Sequence, residues 1–283
     1  MQKISFGDLN NKVCVITGGA GVIGKAMVNA LVSVGVKTAI LDIDKELAEK
    51  VAAEAEKESG TACIGVGASV LERASLENAH REINSRMGKI DMLINAAGGN
   101  HPSATTKAEQ IEKNMKNGLE DTFFGLQAEG FQKVFDLNFT GTLLPSTVFT
   151  RDMLDKGKGA VLNVSSMNSF RPLTKIPAYS AAKAAINNFT QWMAVHFAKT
   201  GIRVNAIAPG FFLTNQNRFL LIDEKTGEAT ARGKKIISNT PVGKYGEVED
   251  LQGATLFLLS DVSNFITGIV LPVDGGYSAY GGV

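Results

Sequence analysis

Tyr179 and Lys183 lie four residues apart in a segment with helix formers and helical apolar spacing, so they are expected to share one helix face. A phenol beside an ammonium is a plausible proton donor, because nearby positive charge favours phenolate and lowers its pKa. Upstream, the apolar run Val161–Val164 ends in Ser165 and Ser166, as a buried strand does when it delivers hydroxyls at its C-terminal end. Ser166 is the expected partner of the phenol, since a strand's period of two turns Ser165 the other way. An acid and a hydroxyl at one point suit chemistry at an oxygen: a proton delivered to a developing alkoxide, with Ser166 hydrogen-bonding the same atom. Asn138 lies amid Val134, Phe135, Leu137 and Phe139, and a buried amide there must bind backbone or hold a water. Such a water could link Lys183 to solvent.

These groups need elements to position them and a redox partner. Val13–Thr17 is a short apolar strand, followed by the turn Gly18–Gly24 and a helix with Ile23, Met27, Leu31 and Val34 on one stripe. Strand, glycine turn and helix make a phosphate-binding arrangement: Gly18, Gly21, Val22, Ile23 and Gly24 bring backbone close to a pyrophosphate, and the helix N-terminus faces its charge. The next strand, Thr38–Leu41, ends at Asp42, 24 residues after Gly18. That interval suits the acid that grips the adenosine ribose of NAD, and a 2'-phosphate would meet like charge there, although Lys45 is near enough to soften it. Helix (Leu47, Val51, Ala55), strand (Ala62–Val66), helix (Leu76, Ala79, Ile83) and strand (Ile90–Ile94) continue the alternation, so the expected fold is α/β: a Rossmann-type doubly wound parallel sheet with helices on both faces. Asn95, Ala96, Ala97 and Gly98 end a strand with small residues, as a close ligand requires.

Downstream, Phe131–Lys156 reads as one long helix, Ile202–Ile207 as a strand closed by Pro209 and Gly210, Glu247–Leu259 as a helix and Gly268–Val273 as a last strand. In the Tyr179 helix, Ile186, Phe189, Trp192, Met193 and Phe197 suit core or subunit contacts. Two regions break the pattern, 99–130 and 211–240, and read as binding loops over the carboxyl edge of the sheet. The first holds His101, an exposed imidazole or a substrate contact, with no partner at metal-ligand spacing. No repeat or linker is visible, so residues 1–283 read as a single catalytic domain.

Composition narrows the classes. Of 283 residues, 44% are apolar and 20% charged, which suits a globular core, and a net charge of +1 gives no electrostatic case for nucleic acid. No stretch approaches a membrane span, and Cys14 and Cys63 sit in apolar runs without metal or redox spacing. A cytoplasmic protein is expected.

With Thr17-Gly18 and Gly24, Asn95–Gly98, Asn138, Ser166, Tyr179-x-x-x-Lys183, Pro209-Gly210-x-x-x-Thr214 and Asp274-Gly-Gly276, the sequence resembles the short-chain dehydrogenase/reductase family over nearly its whole length. The resemblance implies hydride transfer with a nicotinamide cofactor, catalytic Asn138, Ser166, Tyr179 and Lys183, nicotinamide-ribose contacts from Tyr179 and Lys183, and contacts to the nicotinamide side from Ile207 and Thr214. It implies a homotetramer or homodimer. Two departures stand out: the family's second turn glycine is Val22 here, and its Asp-Val pair near the adenine is Ser69-Val70. A narrower resemblance, in residues 98–106, 168–177 and 210–220, is to the family's D-mannonate oxidoreductases (fructuronate reductases), with enzymes acting on gluconate at C5 or on deoxygluconate also similar. It implies a sugar-acid substrate, with Arg171, Lys175 and Arg218 as candidates for its carboxylate and Asn100, His101, Asn168 and Asn217 for its hydroxyls. The competing reading from another class is a nucleotide-binding regulatory protein without turnover.

Overall fold

The computed structural model describes residues 4–214, 218–224 and 226–282. Seven strands form one parallel sheet: β1 (Val13–Thr17), β2 (Lys37–Asp42), β3 (Cys63–Gly67), β4 (Met92–Asn95), β5 (Gly159–Val164), β6 (Ile202–Pro209) and β7 (Val270–Val273). They lie in the order β3-β2-β1-β4-β5-β6-β7, so the chain winds outward one way from β1 and then the other way from β4. The point of reversal, between the carboxyl ends of β1 and β4, is where such sheets open a crevice for ligands.

Helices cover both faces. On one face lie α1 (Val22–Ser33), α2 (Lys45–Ser59) and α9 (Asp250–Leu259), and on the other α3 (Arg73–Met87), α5 (Gly141–Lys156) and α6 (Pro177–His196). The pleat of β1 divides its side chains between the two cores. Cys14 and Ile16 pack with Met27, Leu31, Val51 and Leu251, while Val13 and Val15 pack with Leu76, Ile83, Phe149 and Met193. Below the sheet, buried Arg203 donates to the carbonyls of Leu258, Leu259 and Ser260, satisfying the last acceptors of α9 with a cation where the helix dipole favours one.

Three local expectations need correction. Leu47 is exposed, and α2 buries Ala48, Val51, Ala52 and Ala55 instead, because the core stripe is made of the small residues beside it. The long helix over 131–156 is three pieces: α4 (Ala128–Phe135), a π-helical turn (Asp136–Thr140) and α5. Local bonding explains the break: the Asn138 side chain donates to the Val134 carbonyl, Thr142 Oγ1 donates to the Asn138 carbonyl, and Pro145 has no N–H to give back to the turn before it. Finally, 211–240 is not wholly irregular; it contains α7 (Arg218–Leu221) and α8 (Ala231–Ser238). Thr230 caps α8 by accepting from the Gly233 N–H, and Ile236 turns inward onto Leu221 and Tyr245.

Candidate active site

The turn after β1 has no spare volume. Gly18 adopts φ +63°, and a Cβ there would lie 2.8 Å from the Ala97 Cα at the end of β4. A Cβ on Gly24 would come within 2.3 Å of the Gly18 carbonyl oxygen. Gly21, by contrast, is the N-cap of α1 in an ordinary extended conformation, and Val22 is the helix's first residue, so replacing the family's second glycine costs the turn no strain. The exposed amides of the first helical turn point at the crevice, which suits a pyrophosphate.

Gly18, Gly21, Val22, Ile23, Gly24, Asp42, Ser69, Val70, Ala96, Ala97, Gly98, Gly210 and Thr214 line a single cavity of about 660 Å³. Asp42 stands at the tip of β2, its carboxylate accepting, among the described residues, a long 3.3 Å bond from the Asp44 N–H. Lys45 pairs with Glu49 rather than with Asp42. Asn95, Ile207 and Pro209 are not among the residues that line this cavity. The side chain of Asn95 is fully buried and donates to Ser146 Oγ and Asn163 Oδ1, so it ties β4 to α5 and β5 beneath the cavity. Pro209 and Ile207 belong to the body of β6, and the Ile207 carbonyl accepts from the Ser165 N–H. The wall after that strand is formed by Gly210, Phe211 and Phe212 instead. Sequence reasoning missed these two phenylalanines, and also Leu41, Ile43, Ala68, Leu71 and Leu137, although all stand within a residue or two of the strand ends or motifs it had located.

At the far end of the cavity, Gly98 joins it to the proton-donor group: a Cβ there would lie 2.7 Å from Asn138 Oδ1 and 3.1 Å from Lys183 Nζ. Asn138 is fully buried in the π-helical turn, donates to the carbonyls of Gly99 and Val134 and accepts from the Gly99 N–H. Both its amide hydrogens are thus spent on backbone, and it clamps the Gly98–Gly99 corner rather than serving mainly to hold a water. Lys183 Nζ donates to the Val164 carbonyl at the end of β5 and stands 5.6 Å from the Tyr179 ring centre. The ring packs on Ala104, Val134, Ala178 and Ala182, which fixes where its hydroxyl points.

Ser165 turns away to bond Asn187, as the strand's period requires, and Ser166 is left on the Tyr179 side. The expected pKa logic is reversed, however. Burial raises the Tyr179 phenol above its ordinary value, opposed only by the Ser166 hydrogen bond, and burial pulls the Lys183 ammonium down to about 7. A lysine enclosed by apolar protein loses much of the charge that would have favoured phenolate, so desolvation outweighs attraction here. The phenol therefore holds its proton at neutral pH, as an acid must.

The rim is looser. His101 Nδ1 accepts from the Ser103 N–H and meets Ser103 Oγ at 2.7 Å, so this imidazole caps the turn Pro102–Ala104. Asn100 bonds Thr105 Oγ1. Asn168, 6% exposed beside Ser166, has a buried Oδ1 with no hydrogen-bond partner among the described residues. Arg171 is exposed and donates to the Ser278 carbonyl, while Lys175 is half-buried, its field helping to hold the Glu109 carboxyl below the usual range after the larger effect of Lys235. Arg218 opens α7, and Asn217 lies outside the described residues. Among the described residues no group of three or more His, Cys, Asp or Glu side chains is placed to hold a metal ion, and no helix is long and apolar enough to cross a membrane.

The family model described as enoyl-(acyl carrier protein) reductase matches residues 18–278, and an uncharacterised oxidoreductase of Bacillus subtilis is 51% identical over 98% of both chains. The chain belongs to the short-chain dehydrogenase/reductase family. As a short-chain dehydrogenase/reductase it is an oxidoreductase built for a nicotinamide cofactor. A solved structure from Haemophilus influenza, described as a candidate D-mannonate oxidoreductase with bound NAD, superposes with a TM-score of 0.92 at 49% identity, covering 98% of each chain. A gluconate 5-dehydrogenase from Burkholderia cenocepacia, in complex with NADP and tartrate, gives a TM-score of 0.83 at 28% identity over 97% of this chain and 99% of that one.

Proposed function

We propose that this oxidoreductase interconverts D-fructuronate and D-mannonate with NAD as cofactor. What carries the reading is the whole-length likeness to the NAD-bound Haemophilus structure described as a candidate D-mannonate oxidoreductase. When bound, the nicotinamide supplies or accepts the hydride. The glycine turn and the first turn of α1 would hold the pyrophosphate, Asp42 the adenosine ribose, and Thr214 the nicotinamide side. A 2'-phosphate would face the Asp42 carboxylate, which is why NAD is preferred here.

In reduction, Tyr179 donates its proton to the substrate oxygen as the carbonyl becomes an alcohol, and Ser166 hydrogen-bonds the same oxygen. Lys183 contacts the ribose, and Asn138 keeps the Gly98–Gly99 corner in register with it. The unpaired Asn168 Oδ1 is an acceptor suited to a substrate hydroxyl, because a buried acceptor left empty is costly. Asn100, His101 and Asn217 are further hydroxyl contacts, and Arg171, Lys175 and Arg218 supply cations for the carboxylate. Residues 99–130 and 211–240 act as the substrate loops of a single catalytic domain. Oxidation of gluconate at C5 is the second reading, favoured by the likeness to the Burkholderia enzyme. A cytoplasmic homotetramer or homodimer accompanies both, to be checked by light scattering.

Steady-state rates with NADH and NADPH against D-fructuronate, 5-ketogluconate and a neutral ketose decide the substrate. We expect fructuronate with NADH to lead; equal rates on the neutral ketose would sink the carboxylate reading. Tyr179→Phe should cut turnover by about a thousandfold or more while NADH still binds. Full turnover in that variant would refute the acid.

A further inference from the structure

One turn beyond Lys183 on α6 stands Asn187, a half-buried amide outside the four groups described above. Its Oδ1 accepts from Ser165 Oγ at 2.5 Å, and its Nδ2 donates to Ser169 Oγ at 2.8 Å. Ser169 Oγ donates in turn to the carbonyl of Ser166 at 2.6 Å, and Ser165 Oγ also reaches the Lys183 carbonyl. The turn that carries Ser166 is therefore gripped on both sides by one side chain. Between the two grips, Ser166 Oγ accepts from the Asn168 N–H, and Ser166 partly offsets the burial that raises the Tyr179 phenol.

We infer that Asn187 is a positioning residue that holds the Ser166 hydroxyl against Tyr179 by bridging Ser165 and Ser169. It touches neither reacting group. Its amide is suited to the task because it offers an acceptor and a donor about one helical turn from Lys183, so one rigid helix sets phenol, ammonium and serine turn together. The serine end of β5 leads into one short 3-10 turn, Met167–Ser169, and its further ties to α6 include Lys183 Nζ to the Val164 carbonyl, Ser165 Oγ to the Lys183 carbonyl and Asn163 Nδ2 to Thr190 Oγ1. Aliphatic replacement of Asn187 removes both side-chain grips at once. Ser169→Ala removes one of them from the opposite end without touching α6.

The inference rests on the proposed roles of Tyr179 and Ser166, and the test separates the two. Asn187→Ala, Ser169→Ala and the double variant are compared with the wild type and Tyr179→Phe in two assays. The first is NAD-dependent oxidation of D-mannonate, or of D-gluconate if the substrate panel favours it. Oxidation needs the phenolate, so its rate rises with pH through the Tyr179 titration. Ser166 favours the phenolate, and a displaced Ser166 moves that limb to higher pH. The second is ultraviolet titration of tyrosinate in the protein alone, with Tyr179→Phe subtracted to isolate one phenol.

We expect each single variant to lose about tenfold in kcat with KM for NAD changed less than about twofold, and both titrations to move upward together. The double variant should be no worse than Asn187→Ala, because the two residues act through one chain of bonds. A lower melting temperature with kcat, the pH limb and the tyrosinate titration unmoved would overturn the inference, leaving Asn187 a packing residue. Additive losses in the double variant would overturn the bridge. Turnover surviving in Tyr179→Phe would instead overturn the acid, and the inference with it.

Discussion

Gly18 and Gly24 line the cavity with no room for a Cβ, while in the regions 99–130 and 211–240 Phe123, Phe124 and Phe219 project into solvent. The first side is shaped by backbone: strand ends, a glycine turn and the start of α1, all anchored in the sheet's two cores. The second is shaped by short helical turns and side chains, such as the His101 cap and the surface pair Lys235–Glu109 that joins α8 to the 99–130 region. Substitutions on the first side should therefore act sharply and depend on geometry. On the second they should act gradually and depend on charge.

Gly24→Val should have the largest effect, weakening NADH by about a hundredfold or more in a fluorescence titration, since neither the Gly18 carbonyl nor the helix can retreat. Gly21→Ala is its control and should stay within about threefold, because the nearest atom to that Cβ is 3.3 Å away and the conformation is ordinary. Strong loss in both would mean that the turn is tighter than its geometry says. Asp42→Ser should cost about tenfold in NADH affinity and raise the relative use of NADPH, as expected for one charge-assisted contact. On the rim, Lys175→Ala or Arg171→Ala should raise KM for the sugar acid by about tenfold and leave a neutral ketose unaffected. The smallest effect belongs to Lys235→Ala, whose exposed pairing with Glu109 should leave the melting temperature within about one degree.

Lys183 permits a test by pH on stability alone. Its pKa is about 7 in the fold and near 10.5 in the unfolded chain, so between those values the unfolded chain binds the extra proton. Stability should therefore rise as pH climbs from about 7 towards about 10.5. Lys183→Met should lack that rise, being more stable than the wild type near pH 6 and losing the advantage by pH 10, as read by urea unfolding at each pH.

The same contrast explains what could be read before any coordinates. The sheet was legible because each strand is a short apolar run closed by glycine or a polar residue, and the Ser165/Ser166 choice followed from the pleat alone. The cavity wall was legible wherever a missing side chain marked a close approach, as at Gly18, Gly24 and Gly98. Phe211 and Phe212 were not, since an aromatic side chain beside a ligand looks in sequence like one in a core. The pKa directions at Tyr179 and Lys183 were also hidden: proximity of opposite groups is visible as spacing, but desolvation depends on everything packed around them. Trp192, expected in the core or at a subunit contact, stacks on Phe189 and His196 with 56% of its surface exposed, so it is not a core residue of the single chain.

The π-helical turn at Asp136–Thr140 has a consequence for how the two sides stay in phase. One additional residue in a helix rotates everything beyond it by about 100° relative to an uninterrupted spiral. Val134 before the turn can thus face Ala104, Ala178 and the Tyr179 ring, while Val148, Phe149 and Met153 after it face the sheet. A single deletion in that turn would restore a regular helix yet leave its two halves aimed wrongly, either pulling the aromatic wall off Tyr179 or lifting Phe149 from the core. The irregular turn works as a fixed angular offset, and through it the position of the proton donor is locked to the position of the sheet.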